Sequence, residues 1–220
     1  GPVALAHLSC PPGPMTDTSP AILYIHGFNS SPASYKARQL QAAMTRLGLA
    51  DRLRIPALNS CPRQAIGQLQ DAIAGLGQPL LVGSSLGGYY ATWLASRQPL
   101  KVLLINPAVN PHQHLFLERL GPQINEHTGE HWLLTRAHIT ALAALAVPPP
   151  RDARRFRVWL QTGDQTLDYR EAEAFYQGCD LRIEAGGDHG FQGFTRHLPE
   201  LLAFAGLDPQ QWRDSDFSDL

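Results

Sequence analysis

Residues 79–94 read PLLVGSSLGGYYATWL, a short apolar run joined to a helical pattern through a glycine-rich turn. Residues 83–87 match Gly-x-Ser-x-Gly, a turn that presents a serine between a buried strand and a helix. Gly83 and Gly87 must be small because side chains there would collide with a neighbouring strand or helix. The unpaired N–H groups at the start of the helix favour negative charge beside Ser85. This stretch therefore predicts Ser85 as a nucleophile on a strand-to-helix turn.

A serine hydroxyl needs an oriented base, so the motif predicts an acid and then a histidine later in the chain. His189 fits the base, because it alone among nine histidines lies in a glycine-bracketed loop after a late apolar run. Asp164, directly after the preceding run, is the first candidate for the acid. Asp168, which would also suit the cap of the next helix, and Asp188, beside the histidine, remain alternatives.

Short apolar runs alternate with helical patterns from residue 21 onward. Their positions predict strands over 21–25, 53–58, 79–83, 101–105, 156–160 and 181–184, and helices over 33–47, 64–76, 86–96, 169–176 and 198–205. Strands that are apolar on both faces and separated by helices indicate a parallel sheet covered on both sides. With the chain order Ser85, Asp164, His189, this pattern predicts the α/β-hydrolase fold. We expect a mostly parallel sheet of about six strands with helices on both faces and a lid insertion.

The chain divides into one domain with two flanking segments and one insertion. The domain is predicted over residues 15–206. Residues 107–150 exceed what one crossover helix needs and are predicted to form a lid over the strand ends, with a helix over 132–145. Residues 1–14 begin with Gly-Pro, which is typical of a protease scar, and are predicted to be a vector-derived or disordered extension. Residues 207–220 carry four aspartates and are predicted to be an acidic, solvated tail that frays.

Composition excludes several other classes of protein. The chain has 220 residues, of which 44% are hydrophobic and 17% charged, with a net charge of −1. Disorder is excluded by the hydrophobic content, and nucleic-acid binding is disfavoured by the balanced charge. No apolar run reaches the roughly 18 residues of a membrane span. Three widely spaced cysteines suit a reducing compartment, so we predict a cytoplasmic protein. We predict no metal, because Gly129 interrupts any helix that would align His127 with His131.

An acyl-transfer site also needs two N–H donors for the oxyanion. The N–H of Leu86, directly after the nucleophile, is the first candidate. The second is the N–H of Phe28 in the loop after the first strand, where Gly27 allows a close approach to the serine. Asn29 and Tyr89 are predicted to contact the substrate.

Several segments together resemble the YqiA-type esterases, a small bacterial family of α/β-hydrolases. The resemblance lies in ILYIHGFNSS (22–31), VGSSLGGYYATWL (82–94), NPAV (106–109), 161–170 and 186–194, and it extends over about residues 22–205. It implies a compact hydrolase acting on esters or thioesters, with Ser85 as nucleophile, His189 as base and Asp164 as acid. Such proteins often have Asn before the histidine, where this chain has Asp188.

These observations predict a serine carboxylic-ester hydrolase that works through an acyl-enzyme without a cofactor. Its partner would be a small-molecule acyl ester or thioester. An acyl-CoA thioesterase using the same three residues is the alternative enzyme. A non-catalytic binding protein on a hydrolase scaffold is the alternative outside enzymes, but a binding protein has no need for that combination of residues.

Overall fold

Six parallel strands form the central sheet. The computed structural model describes residues 19–220, so the extension predicted over 1–14 lies outside the described residues. The strands are β1 (Ile22–Ile25), β2 (Leu53–Arg54), β3 (Leu80–Ser84), β4 (Val102–Ile105), β7 (Phe156–Gln161) and β8 (Asp180–Glu184). Their order across the sheet is β2-β1-β3-β4-β7-β8, which places β3 and its following turn near the centre.

Helices cover both faces of this sheet. They are α1 (Tyr35–Arg46), α2 (Pro62–Leu76), α3 (Leu86–Arg97), α5 (Tyr169–Phe175) and α6 (Leu198–Ala205). Every residue of β1, β3 and β4 is buried, as expected for strands that are covered on both sides. Leu23 and Ile25 pack on the face covered by α2, α3 and α5, while Ile22 and Tyr24 pack on the face covered by α1 and α6. The predicted parallel sheet with helices on both faces is confirmed.

The second strand is shorter than predicted. The expected strand over 53–58 contains only Leu53 and Arg54, which pair with Ile22 and Leu23. Pro56 has no N–H to donate to a ladder and stops the pairing there.

The insertion contains a hairpin that takes up the start of the predicted helix. Residues 121–134 form an antiparallel hairpin of β5 (Gly121–Ile124) and β6 (His131–Leu134). The predicted helix over 132–145 is therefore wrong before Thr135, which caps a shorter helix, α4 (Arg136–Ala143). The side chains of β6 alternate between the exposed His131 and Leu133 and the more buried Trp132 and Leu134, and this period of two is that of a strand.

The C-terminal segment is largely exposed but packs on the domain, which contradicts the predicted fraying. It contains a short helix, α7 (Pro209–Trp212), and Phe217 is only 3% exposed in the core between the sheet, α1 and α6. The Gln39 side chain also donates to the Leu220 carbonyl at 3.2 Å. The apolar side chains of the segment anchor it despite its four aspartates. Across residues 19–220, no helix combines the length and the apolar character needed to cross a membrane.

Candidate active site

The turn between β3 and α3 holds Ser85 at a positive φ, with a ψ of −121°. Its φ is 56°, a value that is uncommon for a residue with a side chain. A Cβ at Gly83 would lie 2.5 Å from the Gly87 carbonyl oxygen, and a Cβ at Gly87 would overlap the Ile25 carbonyl. The two glycines therefore let α3 start directly against the sheet. The backbone of the turn is also held by the Ala108 N–H, which donates to the Ser85 carbonyl at 2.9 Å.

The structure brings Ser85, His189 and Asp164 together in one hydrogen-bonded chain. His189 Nε2 lies 3.0 Å from Ser85 Oγ, and His189 Nδ1 lies 3.0 and 2.9 Å from the two carboxylate oxygens of Asp164. The Asp164 side chain is 2% exposed, and its Oδ1 also accepts the N–H groups of Thr166 and Leu167, each at 2.9 Å. Because Asp164 faces the ring as an acceptor, the ring proton stays on Nδ1. The Nε2 lone pair is then free to accept the Ser85 hydroxyl proton.

The other two candidate acids have different partners. Asp168 caps α5 by accepting the Arg170 N–H at 3.0 Å, and the Arg170 guanidinium lowers the pKa of its carboxyl group. Asp188 Oδ2 accepts from the Gln192 side chain at 2.7 Å. Of the three aspartates that the sequence left open, the structure thus places Asp164 beside the histidine.

Two buried amide side chains hold the loop that carries His189. Asn106 Nδ2 donates to the carbonyls of Asp188 and His189 at 3.0 and 3.1 Å, while its Oδ1 accepts the Gln161 N–H at 3.0 Å. Gln161 Oε1 in turn accepts the N–H groups of Asp188 and Gln192. Asn106 and Gln161 each stand in the sequence only as the first residue of a segment that carries the family resemblance, and their role was not predicted because both act on a loop that is distant along the chain.

The loop from β1 to α1, residues 26–34 (the β1–α1 loop), passes close to Ser85. A Cβ on Gly27 would lie 3.1 Å from the Ser85 Cβ, so only glycine allows this approach without a shift of the loop. His26 is buried and bridges two loops, since its Nε2 accepts the Leu58 N–H and its Nδ1 donates to the Gly27 carbonyl, each at 3.0 Å. Burial lowers the pKa of His26, which agrees with a neutral structural ring.

A small cleft of about 40 Å³ lies beside this loop. Phe28 and Leu86, the predicted oxyanion donors, both line it, together with Tyr90 and Trp132. A larger groove of about 650 Å³ lies between residues 109–118 and 166–175, and its lining includes none of the three hydrogen-bonded residues. The lining of the small cleft does not include them either, but it contains Leu86, the residue directly after Ser85, so the small cleft adjoins the nucleophile turn.

The two predicted substrate contacts occupy different positions. Asn29 lines the cleft, but its side chain bonds to the β5–β6 hairpin, where its Oδ1 accepts from Trp132 Nε1 at 2.8 Å. Tyr89 points to α4 and donates its hydroxyl to the Leu142 carbonyl at 2.6 Å. Burial raises the pKa of Tyr89 to about 12. The structure therefore does not bring Tyr89 to the cleft, whereas Trp132, which no motif had marked, lines it.

Lys36, in the first turn of α1, lies against the loop of His189. Its Nζ donates to the Gly190 carbonyl at 2.9 Å. Burial lowers the pKa of Lys36 from 10.5 to about 8, although Asp188 and Asp164 act in the opposite direction. Between these two pH values the unfolded chain binds a proton at Lys36 that the folded chain does not bind. Folding stability should therefore rise with pH across this window.

We expect the difference in unfolding free energy between the wild type and Lys36→Met to grow with pH from about 8 to 10.5. Chemical denaturation at several pH values measures this difference, and the wild type should gain relative to the variant. Lys101→Met is the matched control, because the Lys101 ammonium also donates to a backbone carbonyl, that of Phe204. A difference that stays constant or falls across the window would contradict the expectation.

The comparison with protein families agrees with this architecture. The model of an uncharacterised protein family, UPF0227, matches residues 21–206. The chain belongs to the UPF0227 family. The YqiA-type group named from the sequence is the same family, so the predicted family relationship is confirmed.

Curated UPF0227 proteins match nearly over their full length. Those of Shewanella sediminis (strain HAW-EB3) and Shewanella woodyi (strain ATCC 51908 / MS32) are each 25% identical to this chain, over 201 and 195 residues. In both cases the match covers 83% of this chain and 98% of the relative.

Solved structures that resemble this UPF0227 chain include α/β-hydrolases. Mouse alpha/beta hydrolase domain-containing protein 10 has a TM-score of 0.65 at 15% identity, and the match covers 84% of this chain and 90% of that protein. A structure reported with LipS and LipT, two metagenome-derived lipolytic enzymes, has a TM-score of 0.64 at 18% identity, with 84% and 93% covered. Est1E from Butyrivibrio proteoclasticus has a TM-score of 0.57 at 15% identity, with 89% of each chain covered. At these identities the likeness concerns the fold, and the predicted α/β-hydrolase fold is confirmed.

Proposed function

We propose that this UPF0227 protein is a serine carboxylic-ester hydrolase that works through an acyl-enzyme. The observation that carries the proposal is the hydrogen-bonded chain from Asp164 through His189 to Ser85, on a turn that holds Ser85 at a positive φ. An oriented base next to a serine hydroxyl is what nucleophilic catalysis at neutral pH requires.

In the proposed reaction, Ser85 Oγ attacks the acyl carbonyl carbon while its proton moves to His189 Nε2. The N–H groups of Leu86 and Phe28 stabilise the negative charge on the carbonyl oxygen. His189 then gives the proton to the leaving alcohol, and the acyl group stays on Ser85. A water molecule attacks this ester, His189 accepts its proton, and the carboxylic acid is released as Ser85 regains its hydrogen. Asp164 keeps the Nδ1 proton of His189 in place throughout.

Two further observations support this function, and a third concerns the compartment. The cleft beside the nucleophile turn is lined by Phe28 and Leu86, the residues whose N–H groups the mechanism uses. The names of two structural neighbours, lipolytic enzymes and a protein solved with ferulic acid bound, favour carboxylic esters as substrates. Cys61 and Cys179 are free thiols, which supports a cytoplasmic setting.

Turnover of matched oxygen and thiol esters tests the proposal. Purified full-length protein should hydrolyse phenyl acetate with a kcat/KM at least equal to that for S-phenyl thioacetate. A thioester preference of more than about tenfold, equivalent to 1.4 kcal/mol in transition-state binding, would assign the site to thioesters. If folded protein turned over neither these two substrates nor esters of longer acyl chains, the proposed esterase activity would be contradicted.

A further inference from the structure

The β5–β6 hairpin is bonded directly to the β1–α1 loop. Trp132 Nε1 donates to Asn29 Oδ1 at 2.8 Å, and Asn29 Nδ2 donates to Gln123 Oε1 at 3.3 Å. Asn125, in the hairpin turn, donates its side-chain amide to the Ser30 carbonyl at 2.9 Å. These contacts join segments about 100 residues apart along the chain, so the conformation of the loop depends on a part of the chain outside it, the hairpin.

Aromatic packing holds the β1–α1 loop at Phe28, the residue before Asn29. The Phe28 ring makes edge contacts with Phe116, at a centroid distance of 4.6 Å, and with Trp132, at 5.6 Å. The insertion thus immobilises the Phe28 side chain, while the hydrogen bonds act on Asn29 directly after it.

The loop needs such support because of its backbone conformation. Asn29 has a φ of 51°, in the left-handed region, which asparagine tolerates better than most residues but does not prefer. The Phe28 N–H belongs to the Gly27–Phe28 peptide group, and its direction follows the backbone angles of the loop directly before Asn29. Without the contacts to the hairpin, the loop would have other conformations available, and this N–H would lose its fixed direction.

We propose that Trp132 and Asn29 are a coupled pair of positioning residues that hold the Phe28 N–H in its oxyanion-binding direction. The inference rests on the proposed function and adds to it a role for the insertion. The insertion holds the β1–α1 loop in one conformation, whereas a lid would open and close. Asn29, expected to contact substrate, then acts through the backbone of its neighbour.

Two substitutions remove the contact between Trp132 and Asn29, and the second also removes the bond from Asn29 to Gln123. Trp132→Phe removes the indole N–H and keeps an aromatic ring against Phe28. Asn29→Gly removes the side chain and keeps a residue for which the left-handed conformation is easy. Each is expected to lower kcat for p-nitrophenyl acetate about 10- to 100-fold with KM changed less than about threefold, because the oxyanion forms only in the transition state.

The double variant tests the coupling. If both residues act through one contact, Trp132→Phe with Asn29→Gly should lose no more activity than the more impaired single variant. Trp212→Phe is the matched control, since Trp212 Nε1 also donates to a carbonyl, that of Leu207, but lies on α7 at the C-terminal segment. Its kcat should equal that of the wild type. Thermal unfolding of all variants separates loss of the fold from loss of positioning.

The outcomes distinguish this inference from the proposed function. A wild-type enzyme with Ser85-dependent turnover and single variants of unchanged kcat would overturn the inference alone. So would losses that multiply in the double variant, or losses confined to KM. A folded wild-type protein without Ser85-dependent turnover would overturn the proposed function and the inference with it.

Discussion

Ser85→Ala is expected to reduce ester turnover on the order of 10⁶-fold in kcat, a loss typical for removal of the nucleophile from such a triad. Ser85 Oγ is the atom that lies 3.0 Å from His189 Nε2, and alanine has no hydroxyl to replace it. The substitution adds no atoms to the tight turn, so the fold should remain intact. Initial rates on phenyl acetate, together with thermal unfolding of the same sample, measure both effects.

The adjacent serine offers a matched control for this substitution. Ser84 ends β3, and its side chain contacts the Tyr24 hydroxyl on the α1 and α6 face of the sheet. Ser84→Ala should therefore keep turnover within about a few-fold of the wild type, because it leaves the hydroxyl beside His189 in place. Full activity in pure Ser85→Ala protein, or equal losses in the two variants, would contradict the nucleophile assignment.

Asp164→Asn is expected to lower kcat by about 10⁴-fold, the loss typical of this change in a triad. The asparagine oxygen would remain the acceptor for the Thr166 and Leu167 N–H groups, and its amide would face His189 Nδ1 as a donor. The ring would then carry its proton on Nε2 and could not accept the proton of Ser85. The site of this variant would be packed almost as well as that of the wild type, but it would be nearly inactive. Steady-state kinetics measured over a range of pH check this expectation.

Asp168→Asn is the control for the acid. Asp168 caps α5 and pairs with Arg170 on the surface, and asparagine caps a helix about as well as aspartate. We expect kcat to change less than about threefold. A larger loss in Asp168→Asn than in Asp164→Asn would move the role of the acid to Asp168 and refute the geometry described above.

Local patterns in the sequence were sufficient to predict the central sheet and the nucleophile turn. The apolar runs around β1, β3 and β4 are buried on both faces, so their composition alone marks them as strands. Gly83 and Gly87 lie within two residues of Ser85 and belong to one short sequence pattern, although the atom that a Cβ at Gly87 would meet is the Ile25 carbonyl oxygen of β1. Features that depend on neighbouring residues were therefore accessible from the sequence.

Contacts between residues that are distant along the chain could not be predicted from local sequence patterns. Trp132 bonds to Asn29, 103 residues earlier in the chain, and Asn106 bonds to His189, 83 residues later. The residue pattern around Trp132 fits a helix as well as a strand. In the structure, Gly129, with a φ of 78°, closes the hairpin turn, and the residues after it form a strand. Phe217 lies among aspartates, yet its burial anchors the C-terminal segment. In each case tertiary packing decides between local alternatives.

Labelling with a fluorophosphonate probe tests the central claim most directly, because the probe reacts with a serine only when a base activates it. Intact mass and peptide mapping of the folded protein should give a single adduct, located on Ser85. The adduct should be absent from Ser85→Ala and from His189→Ala. No adduct in folded wild-type protein, an adduct on another residue, or undiminished labelling of His189→Ala would contradict the assignment of Ser85 and His189 as nucleophile and base.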